Sequence, residues 1–544
     1  MGKATGMRMA AVATKIGLAT MALGIPLAAM PSAFASSQVV YNVGDYVLPA
    51  QMSNMNPFLS TGNWTPLFQY MYNQLFYFNP IKGALQPELA TKGKWGKGYT
   101  EYTVTLNHQA KWQNGSPVTA KDVVYTYDVL KNPALDPYGL WTYLKSVTGH
   151  GDTVTFTTKT PFPSLPNYLS TVYIVPQAIW RNEGNPANNL NLHPIGSGPF
   201  EFFAYHTGTN IVLTKNPNSF LGVPKIDVLN INMYSNAQSV TLALQKGDIE
   251  TTEGTIAMPS LPQLMATKTN KLQKYPGLEN FGVFMNTKVP GLDNVDVRLA
   301  IASAIDHTAL INQGELGGVF RANAGWLMPT FKAEVDNGIY KSAKYRFNMN
   351  RAKSFLLKAG YRMSSNGIFE KNGKPLSLTY YEASGAPAQD KEASMIQGWL
   401  QKAGIQITPK FATWPELTQL ASSGNFDLIQ MGVTAPPDPV AAMASVFSSS
   451  ATAPIGQTTP GLNYTRFSNA KLDSILAQAA KSFNPKVTAR LLQEAQQIVA
   501  QNAPVAVMYN VGGHIVYRTH QFTGYNTNYP VNSVFSLMDV HPAQ

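Results

Sequence analysis

No cysteine occurs anywhere in the 544 residues of this chain. Disulfide bonds, thiolate metal sites and cysteine nucleophiles are therefore excluded, and so is a lipid anchor attached through cysteine. The fold has to rest on buried apolar side chains, which the composition allows because 44% of the residues are hydrophobic. A chain of this length is longer than one hydrophobic core normally organises, so we expect two or three lobes.

The first 35 residues carry the pattern of a secretory signal peptide. Three basic residues precede an apolar stretch over Ile16–Met30, and Ala33-Phe34-Ala35 offers a small-x-small cleavage site. The apolar stretch is shorter than the about 20 residues that a membrane span needs, although an uncleaved anchor remains the alternative. We therefore predict a secreted, extracytoplasmic protein, in the periplasm or at the outer face of the cell membrane.

The charge pattern argues against nucleic-acid binding. The formal net charge is +11, and it falls to +8 once the three basic residues of the leader are removed. The remaining basic residues are scattered singly and form no basic run. Only 13% of the residues are charged, against about 25% in ordinary soluble proteins. Because few carboxylates leave little stability to lose on protonation, we hypothesise an acidic extracellular habitat.

Strand and helix patterns alternate along the chain, which predicts the α/β class. Alternating apolar and polar residues indicate strands at Tyr102–Leu106 and Val154–Phe156. Thr119 and Asp122 have the spacing of a capping box and predict the start of a helix. The other predicted helical features are a buried face of Val297, Ala300, Ile301, Ala304 and Ile305, helices at 351–359, 392–403 and 490–501, and helix stops at Gly360 and Gly404.

No catalytic constellation can be assembled from motif spacing. The eight histidines show no metal-ligand spacing, and neither a GxSxG elbow nor a Walker A motif occurs. Gly196-Ser197-Gly198 has the wrong flanks for a nucleophile elbow, so a tight turn is the favoured interpretation. The sequence therefore predicts a protein that is not an enzyme and carries no cofactor or metal. Carboxylates distant in sequence could still meet in space, which keeps a secreted hydrolase as the alternative.

Seven stretches, taken in chain order, carry a resemblance to a known family. They are MNPF with YNQL, YTVTLNHQAKWQNGSPVTAKDVVYTYD, PIGSGPFEFFAY with IVLTKNPNSF, NVDVRLAIASAIDHTALIN, NRAKSFLLKAGY, FATWPELTQLASSGNFDLIQMGVTAPPDP and ARLLQEAQQIVAQNAPVAVMYN. In this order they resemble the family 5 extracellular solute-binding proteins, which are the peptide, dipeptide and nickel receptors of ABC importers. The resemblance covers nearly the whole chain after the leader.

The resemblance implies a large two-lobed clamp with the periplasmic-binding-protein-like fold, in its type II, three-domain form. Paired hinge strands join the lobes, and we place these hinges near Gly277–Phe281 and Pro504–Tyr509. The expected division is 1–35 for the signal peptide, 36–80, 197–278 and 506–544 for domain I, 81–196 for domain II, and 279–505 for domain III.

The resemblance also implies which residues hold a ligand. The expected ligand-binding residues are Thr61, Gly62, Asn63 and Trp64 on one wall, Thr434, Ala435 and Asp438 on the other, and the further aromatic candidates Trp326 and Trp414. Packing in the core is an equally weighted alternative for each of the three tryptophans. Turn formation is the favoured alternative for Asp438.

The sequence departs from the peptide-binding pattern of this family at two places. Peptide-binding relatives commonly have Asp at the position of Ala435, where it pairs with the α-ammonium of the ligand, and Trp at the position of Gly432. The segment 380–393 also lacks the Arg that dipeptide-binding relatives offer to the ligand carboxylate. These departures disfavour a free dipeptide and leave longer peptides, oligosaccharides or another polar solute.

We therefore predict an extracellular substrate-binding receptor, with oligopeptides as the favoured ligand, that acts as a monomer. By clamp closure it delivers its ligand to the permease subunits of an ABC importer. The alternatives are a secreted hydrolase and a binder of oligosaccharide or another polar solute. Because Ala435 offers no counter-charge, we expect free-amine and N-acetylated peptides to differ by less than about tenfold in affinity, unless Asp438 supplies the carboxylate.

Overall fold

The computed structural model describes residues 38–46, 52–59, 61–254, 256–384 and 387–544. The predicted signal peptide, residues 1–35, lies outside these ranges. Among the described residues, no helix combines the length and the apolar character needed to cross a membrane.

The strands and helices alternate along the whole described chain. The strands are β1 (Val40–Asp45), β2 (Phe76–Asn79), β3 (Ala84–Pro87), β4 (Ala90–Trp95), β5 (Glu101–Leu106), β6 (Leu144–His150), β7 (Thr153–Thr158), β8 (Phe200–His206), β9 (Asn210–Lys215), β10 (Val228–Met233), β11 (Thr251–Thr252), β12 (Asn270–Met285), β13 (Arg362–Met363), β14 (Phe369–Lys371), β15 (Lys374–Pro375), β16 (Ser377–Ala383), β17 (Gln406–Ala412), β18 (Leu428–Thr434), β19 (Val505–Arg518), β20 (Phe522–Thr523) and β21 (His541–Pro542). The α-helices are α1 (Phe68–Met71), α2 (Ala120–Val129), α3 (Leu165–Leu169), α4 (Gln177–Trp180), α5 (Ala237–Lys246), α6 (Leu261–Ala266), α7 (Val295–Ala304), α8 (His307–Ala309), α9 (Asn337–Lys341), α10 (Met349–Lys358), α11 (Pro387–Ala403), α12 (Trp414–Ser423), α13 (Pro439–Phe447), α14 (Ala470–Ala479), α15 (Pro485–Asn502) and α16 (Val534–Leu537).

One ten-stranded sheet organises the described chain, in the order β17-β16-β18-β12-β19-β11-β1-β10-β9-β8. β1 runs parallel to β10 and β11, and β16 runs parallel to β17 and β18. β12 and β19 pair antiparallel with each other and connect these two groups. A separate four-stranded sheet has the order β4-β5-β7-β6. The structure therefore has the mixed α/β architecture that the sequence predicts.

Helices cover both faces of the sheet around β16, β18 and β12. Alternate residues of a strand point to opposite faces, so Val283 and Phe284 belong to different cores. Val283 packs in a core to which α7, α10 and α11 contribute, whereas Phe284 packs in a core with residues of α12 to α15. Two cores of this kind hold β12 in place from both sides.

The local predictions from sequence are confirmed at the positions that can be compared. Asp122 accepts bonds from the backbone N–H and the hydroxyl of Thr119, both at 2.8 Å. α2 begins at Ala120, directly after Thr119. The five residues of the predicted apolar face are fully buried, although Ile305 follows α7 as its cap. Gly360 and Gly404 follow α10 and α11 with φ of +88°, a region that favours glycine.

Candidate ligand cleft

Two strands alone connect the two groups of strands in the large sheet. Thr251 at one side lies level with Tyr517, and Thr434 at the other side lies level with Glu279 and Val511. Between these levels β12 and β19 pair only with each other. Val511 and Tyr517 of β19 are six residue steps apart, and at about 3.3 Å a step this two-stranded section is about 20 Å long. We refer to it as the bridge, formed by residues 272–278 of β12 and 512–516 of β19.

The strands on both sides of the bridge end towards it. β1, β10 and β11 run in the direction of β12, whereas β16, β17 and β18 run in the opposite direction. Their carboxyl-terminal ends therefore face each other across the open section of the sheet. Carboxyl ends of strands are the preferred place for ligands in open α/β sheets, and this position is our candidate cleft.

The segment 504–509, where the sequence analysis places the second hinge, precedes the bridge in β19. Phe281 pairs with Gly432 on one side and Tyr509 on the other, so the predicted hinge at 504–509 still lies within the three-stranded part of the sheet. The crossing in β19 begins after Val511, at the pair Gly512 and Gly513. A side chain at either glycine would collide with Tyr275, since an added Cβ would lie 2.2 or 2.3 Å from its atoms. Two successive glycines thus allow the close strand contact that the bridge requires.

A cavity of about 450 Å³ opens beside the bridge on the side of β11. Its lining is mostly aromatic and neutral polar: Thr65, Pro66, Gln69, Gln74, Tyr77, Tyr173, Tyr275, Asn532, Ser533 and Phe535, with the carboxyls of Glu88 and Glu253. Hydroxyl, amide and ring surfaces of this kind suit a polar solute with a neutral backbone. Sequence reasoning missed these residues because they come from segments distant in sequence, near residues 65–88, 173, 253, 275 and 532–535, which only the folded chain brings together.

Both glutamates of this cavity have perturbed acidity. Burial raises the pKa of Glu88 to about 7 against the bonds that its carboxyl accepts from Asn73 and Gln74. Burial likewise raises the pKa of Glu253 to about 8, while the hydroxyl of Tyr70 donates to it at 2.9 Å. At neutral pH and below, the protonated forms therefore predominate or are well populated, and the cavity carries little charge.

The predicted loop at 61–64 is held mainly by its own polar groups. Asn63 donates to the carbonyl of Leu59 at 2.8 Å and to that of Asn56 at 3.1 Å, so its amide is used within the loop. Trp64 is buried in the core, with 4% of its surface exposed. Thr61 and Gly62 are exposed. Of the four predicted residues, these two are the most exposed, and Asn63 is half-buried.

Asp438 is buried and committed to structure on both of its oxygens. As the N-cap of α13 it accepts from the backbone N–H of Ala441 at 2.7 Å, and its other oxygen accepts from Asn167 at 2.7 Å. This is the turn-forming and capping alternative to ligand contact. Thr434 is exposed at the end of β18, whereas Ala435 is buried and its backbone N–H donates to Leu278 at 2.8 Å.

The two other tryptophans differ in their surroundings. Trp326 is fully buried and packs edge-on against Phe284 and Phe447. Trp414 starts α12, has 41% of its surface exposed and lies edge-on to Phe281 with ring centroids 6.3 Å apart. Of the three predicted tryptophans, Trp414 is the one with exposed ring surface.

The serine that resembled a nucleophile has a structural partner. Ser197 is fully buried, and its hydroxyl donates to the side-chain oxygen of Asn73 at 2.9 Å. An added Cβ on either flanking glycine would clash with the backbone of Tyr70 or Met71. The motif is therefore a close backbone contact, as the turn interpretation predicts.

Residues of the segment 81–196 contact residues of the segment 279–505. Phe483 packs against Trp95 at 5.1 Å and stacks on Tyr99 at 4.1 Å between ring centroids. Asn167 bonds to Asp438 at 2.7 Å. These contacts join the segment predicted as domain II to the segment predicted as domain III.

Comparison with known proteins gives consistent matches at the levels of sequence and fold. A family profile described as bacterial extracellular solute-binding proteins, family 5 Middle, matches residues 84–454. The oligopeptide-binding protein AppA of Bacillus subtilis is 28% identical over 440 residues, which cover 77% of each chain. Its structure in complex with a nonapeptide has a TM-score of 0.73, at 24% identity, and covers 93% of this chain and all of that one. A mannohexaose-bound periplasmic oligopeptide-binding protein of Thermotoga maritima has a TM-score of 0.74, at 22% identity, and covers 94% of this chain and 99% of that one.

Proposed function

This chain belongs to the family 5 bacterial extracellular solute-binding proteins, and from that premise we propose that it is the oligopeptide receptor of an ABC importer. It captures a peptide outside the cytoplasm and delivers it to the membrane permease. The similarity to AppA supports the peptide class, because AppA is an oligopeptide-binding protein and the match covers 77% of its length.

The observation that carries the proposal is the two-stranded bridge beneath facing strand ends. A bridge of two strands is the part of the sheet with the fewest lateral hydrogen bonds, so rotation of one lobe against the other costs least there. A peptide that contacts both lobes stabilises the closed form and shifts the equilibrium towards it. A permease that recognises the closed form is thereby supplied with loaded receptor.

The cleft suits an extended peptide better than a free dipeptide. β18 ends at Thr434 beside the open section of the sheet, where an extended peptide backbone can lie along the strand ends. The cavity of about 450 Å³ then offers room for a side chain within the usual range of ligand pockets. Secretion through cleavage after residue 35, and action as a monomer, complete the proposal.

Oligosaccharide is the second candidate ligand. Tyr77, Tyr173 and Tyr275 line a cavity whose other groups are mostly amides and hydroxyls, and sugars bind by stacking on rings and bonding to such groups. The Thermotoga protein with bound mannohexaose supports this candidate through its fold alone.

Calorimetric titration separates the two candidates. We expect synthetic peptides of about five to nine residues to bind, and mannohexaose to give no heat. Saturable binding of mannohexaose without peptide binding would replace the peptide assignment, and steady cleavage of either ligand would favour the secreted hydrolase instead.

A further inference from the structure

Glu279 is an acidic side chain of the cleft that is engaged by nothing in the described part of the chain. It is half-buried, and no hydrogen bond or ion pair joins its carboxylate to any described residue. Its backbone carbonyl, by contrast, accepts from Asn510 at 2.8 Å. A carboxylate that is partly withdrawn from water and left without a partner is costly, and it becomes favourable when a cation pairs with it.

The position of Glu279 is the end of the bridge that faces β18. Its Cα lies level with Thr434, the last residue of β18, and the preceding residue, Leu278, accepts the backbone bond of Ala435. The side chain therefore belongs to the same edge of the cleft as the segment 434–438, on which the sequence analysis expects ligand contacts.

Gly432 makes room for this carboxylate. An added Cβ on Gly432 would lie 2.5 Å from Oε1 of Glu279 and 2.4 Å from the ring of Phe281. Both side chains thus lie directly over the glycine backbone. Any larger residue at 432 would displace one or both of them, so the glycine and the glutamate form a pair.

One aromatic ring lies beside the carboxylate, and a second ring contacts the first. Phe281 follows Glu279 on the same face of β12, and the exposed ring of Trp414 lies 6.3 Å from Phe281, centroid to centroid. A carboxylate beside exposed ring surface is the arrangement that recognises ammonium and guanidinium groups, through an ion pair and through cation–π contact. Burial raises the pKa of Glu279. This direction is the one expected for a carboxyl group that is withdrawn from water and has no cationic partner.

We propose that Glu279, with Phe281 and Trp414 and the space left by Gly432, forms a subsite for an organic cation of the ligand, either the α-ammonium of a peptide or a lysine or arginine side chain. This proposal rests on the proposed peptide-binding function. It takes the place of the expectation that acetylation of the ligand amine matters little, because that expectation considered only positions 435 and 438 as sources of a carboxylate.

The test compares matched pentapeptides by calorimetric titration. The first pair is penta-alanine with a free amine and its N-acetylated form, both amidated at the carboxyl end. The second pair is N-acetylated, with lysine or its neutral isostere norleucine at each position in turn. These two arms distinguish an α-ammonium from a side-chain cation.

The proteins are wild type, Glu279→Gln, Glu279→Asp and Glu201→Gln. Glu201 is a matched control because it is also half-buried with a raised pKa, but lies on β8 at the far edge of the sheet. Thermal unfolding of each variant confirms that the fold is retained.

We expect wild type to prefer the cationic member of one pair by about tenfold or more, which is about 1.4 kcal/mol. Glu279→Gln should lose that preference, Glu279→Asp should retain part of it, and Glu201→Gln should leave it unchanged. Peptide binding with no charge preference in wild type, or with a preference that survives Glu279→Gln, overturns the subsite. If no peptide of either pair binds any of the proteins, the proposed function itself fails and the subsite fails with it.

Discussion

Asp438, the aspartate of the Asp-Pro pair in the resemblance, shows how a motif residue can stabilise the fold through its own hydrogen bonds. Its carboxylate caps α13 through Ala441 and also accepts a bond from Asn167, which lies in the segment predicted as domain II. The residue is 3% exposed, so water cannot replace either bond.

Replacement of Asp438 is expected to lower stability without changing charge recognition. Asp438→Ala loses the cap, at about 0.5–2 kcal/mol, and leaves the Asn167 amide without its partner, at about 1–3 kcal/mol. Asp438→Asn keeps a capping oxygen and should lose clearly less. Urea unfolding measures both changes in the free energy of unfolding. Equal stability of wild type and the alanine variant would show that these bonds are not formed in solution.

At the scale of elements, the bridge determines what the two lobes can do. The register of β12 and β19 shifts between Pro276 and Glu279, and the side chain of Asn510 fills the irregularity with bonds to Gly277, Glu279 and Asn280. A bulge of this kind increases local twist and marks a place where strands change direction. The glycines at 512 and 513 then allow β19 to pass close to Tyr275.

A methyl group at Gly512 is expected to destabilise the bridge. Its Cβ would lie 2.2 Å from the carbonyl oxygen of Tyr275, which is backbone and cannot rotate away, so Gly512→Ala should cost about 1–3 kcal/mol. Gly398 within α11 is the matched control, because an added Cβ there meets no atom within 4 Å. Gly398→Ala should be neutral or stabilise the protein by up to about 1 kcal/mol. Denaturant unfolding of both variants gives the comparison, and equal effects would contradict this account of the bridge.

Sequence reasoning worked where the physical cause is local. The capping box at Thr119 and the helix stops at Gly360 and Gly404 depend on neighbouring residues, and the structure has them where the pattern predicts. The bridge depends on pairing between strands more than 200 residues apart, as in the pair Tyr275 and Gly513. No local pattern fixes such a register, so the bridge could not be located from the sequence.

The same distinction explains the candidate site. Family resemblance pointed to the segment 434–438, where Thr434 is exposed but Ala435 is buried and the carboxylate of Asp438 is engaged within the protein. Glu279 was missed because it comes from a different strand and because nothing in its own neighbourhood marks it. The one available sign was the glycine at 432, whose missing side chain leaves space for an unidentified neighbour.

At the scale of the whole molecule, buried carboxyls couple stability to pH. Glu88 is 7% exposed, and its pKa rises from 4.5 to about 7. The folded state therefore holds a proton that the unfolded state releases, so stability is greatest below the unfolded pKa and is lost as the pH rises through the folded pKa. A shift of this size corresponds to roughly 3 kcal/mol. Glu253, with its pKa raised to about 8, acts in the same direction.

We therefore expect the thermal unfolding midpoint to be higher near pH 5 than near pH 8. Glu88→Gln cannot titrate and should show a smaller fall over the same range. Calorimetric scans of both proteins in matched ionic strength test this. A wild-type midpoint that rises with pH, or an unchanged profile in the variant, would contradict the assignment of these buried carboxyls, whereas the expected profile agrees with the acidic habitat that the low charge content suggests.

The most direct test of the receptor assignment is retention of intact peptides from a defined mixture. The protein lacking residues 1–35 is incubated with synthetic peptides of two to nine residues, separated from free peptide by gel filtration, denatured and examined by mass spectrometry. Penta-alanine and longer members should be recovered intact, one per protein molecule, with dipeptides absent. Recovery of no peptide, or of shortened peptides that accumulate with time, would contradict the conclusion that this protein binds oligopeptides and releases them unchanged.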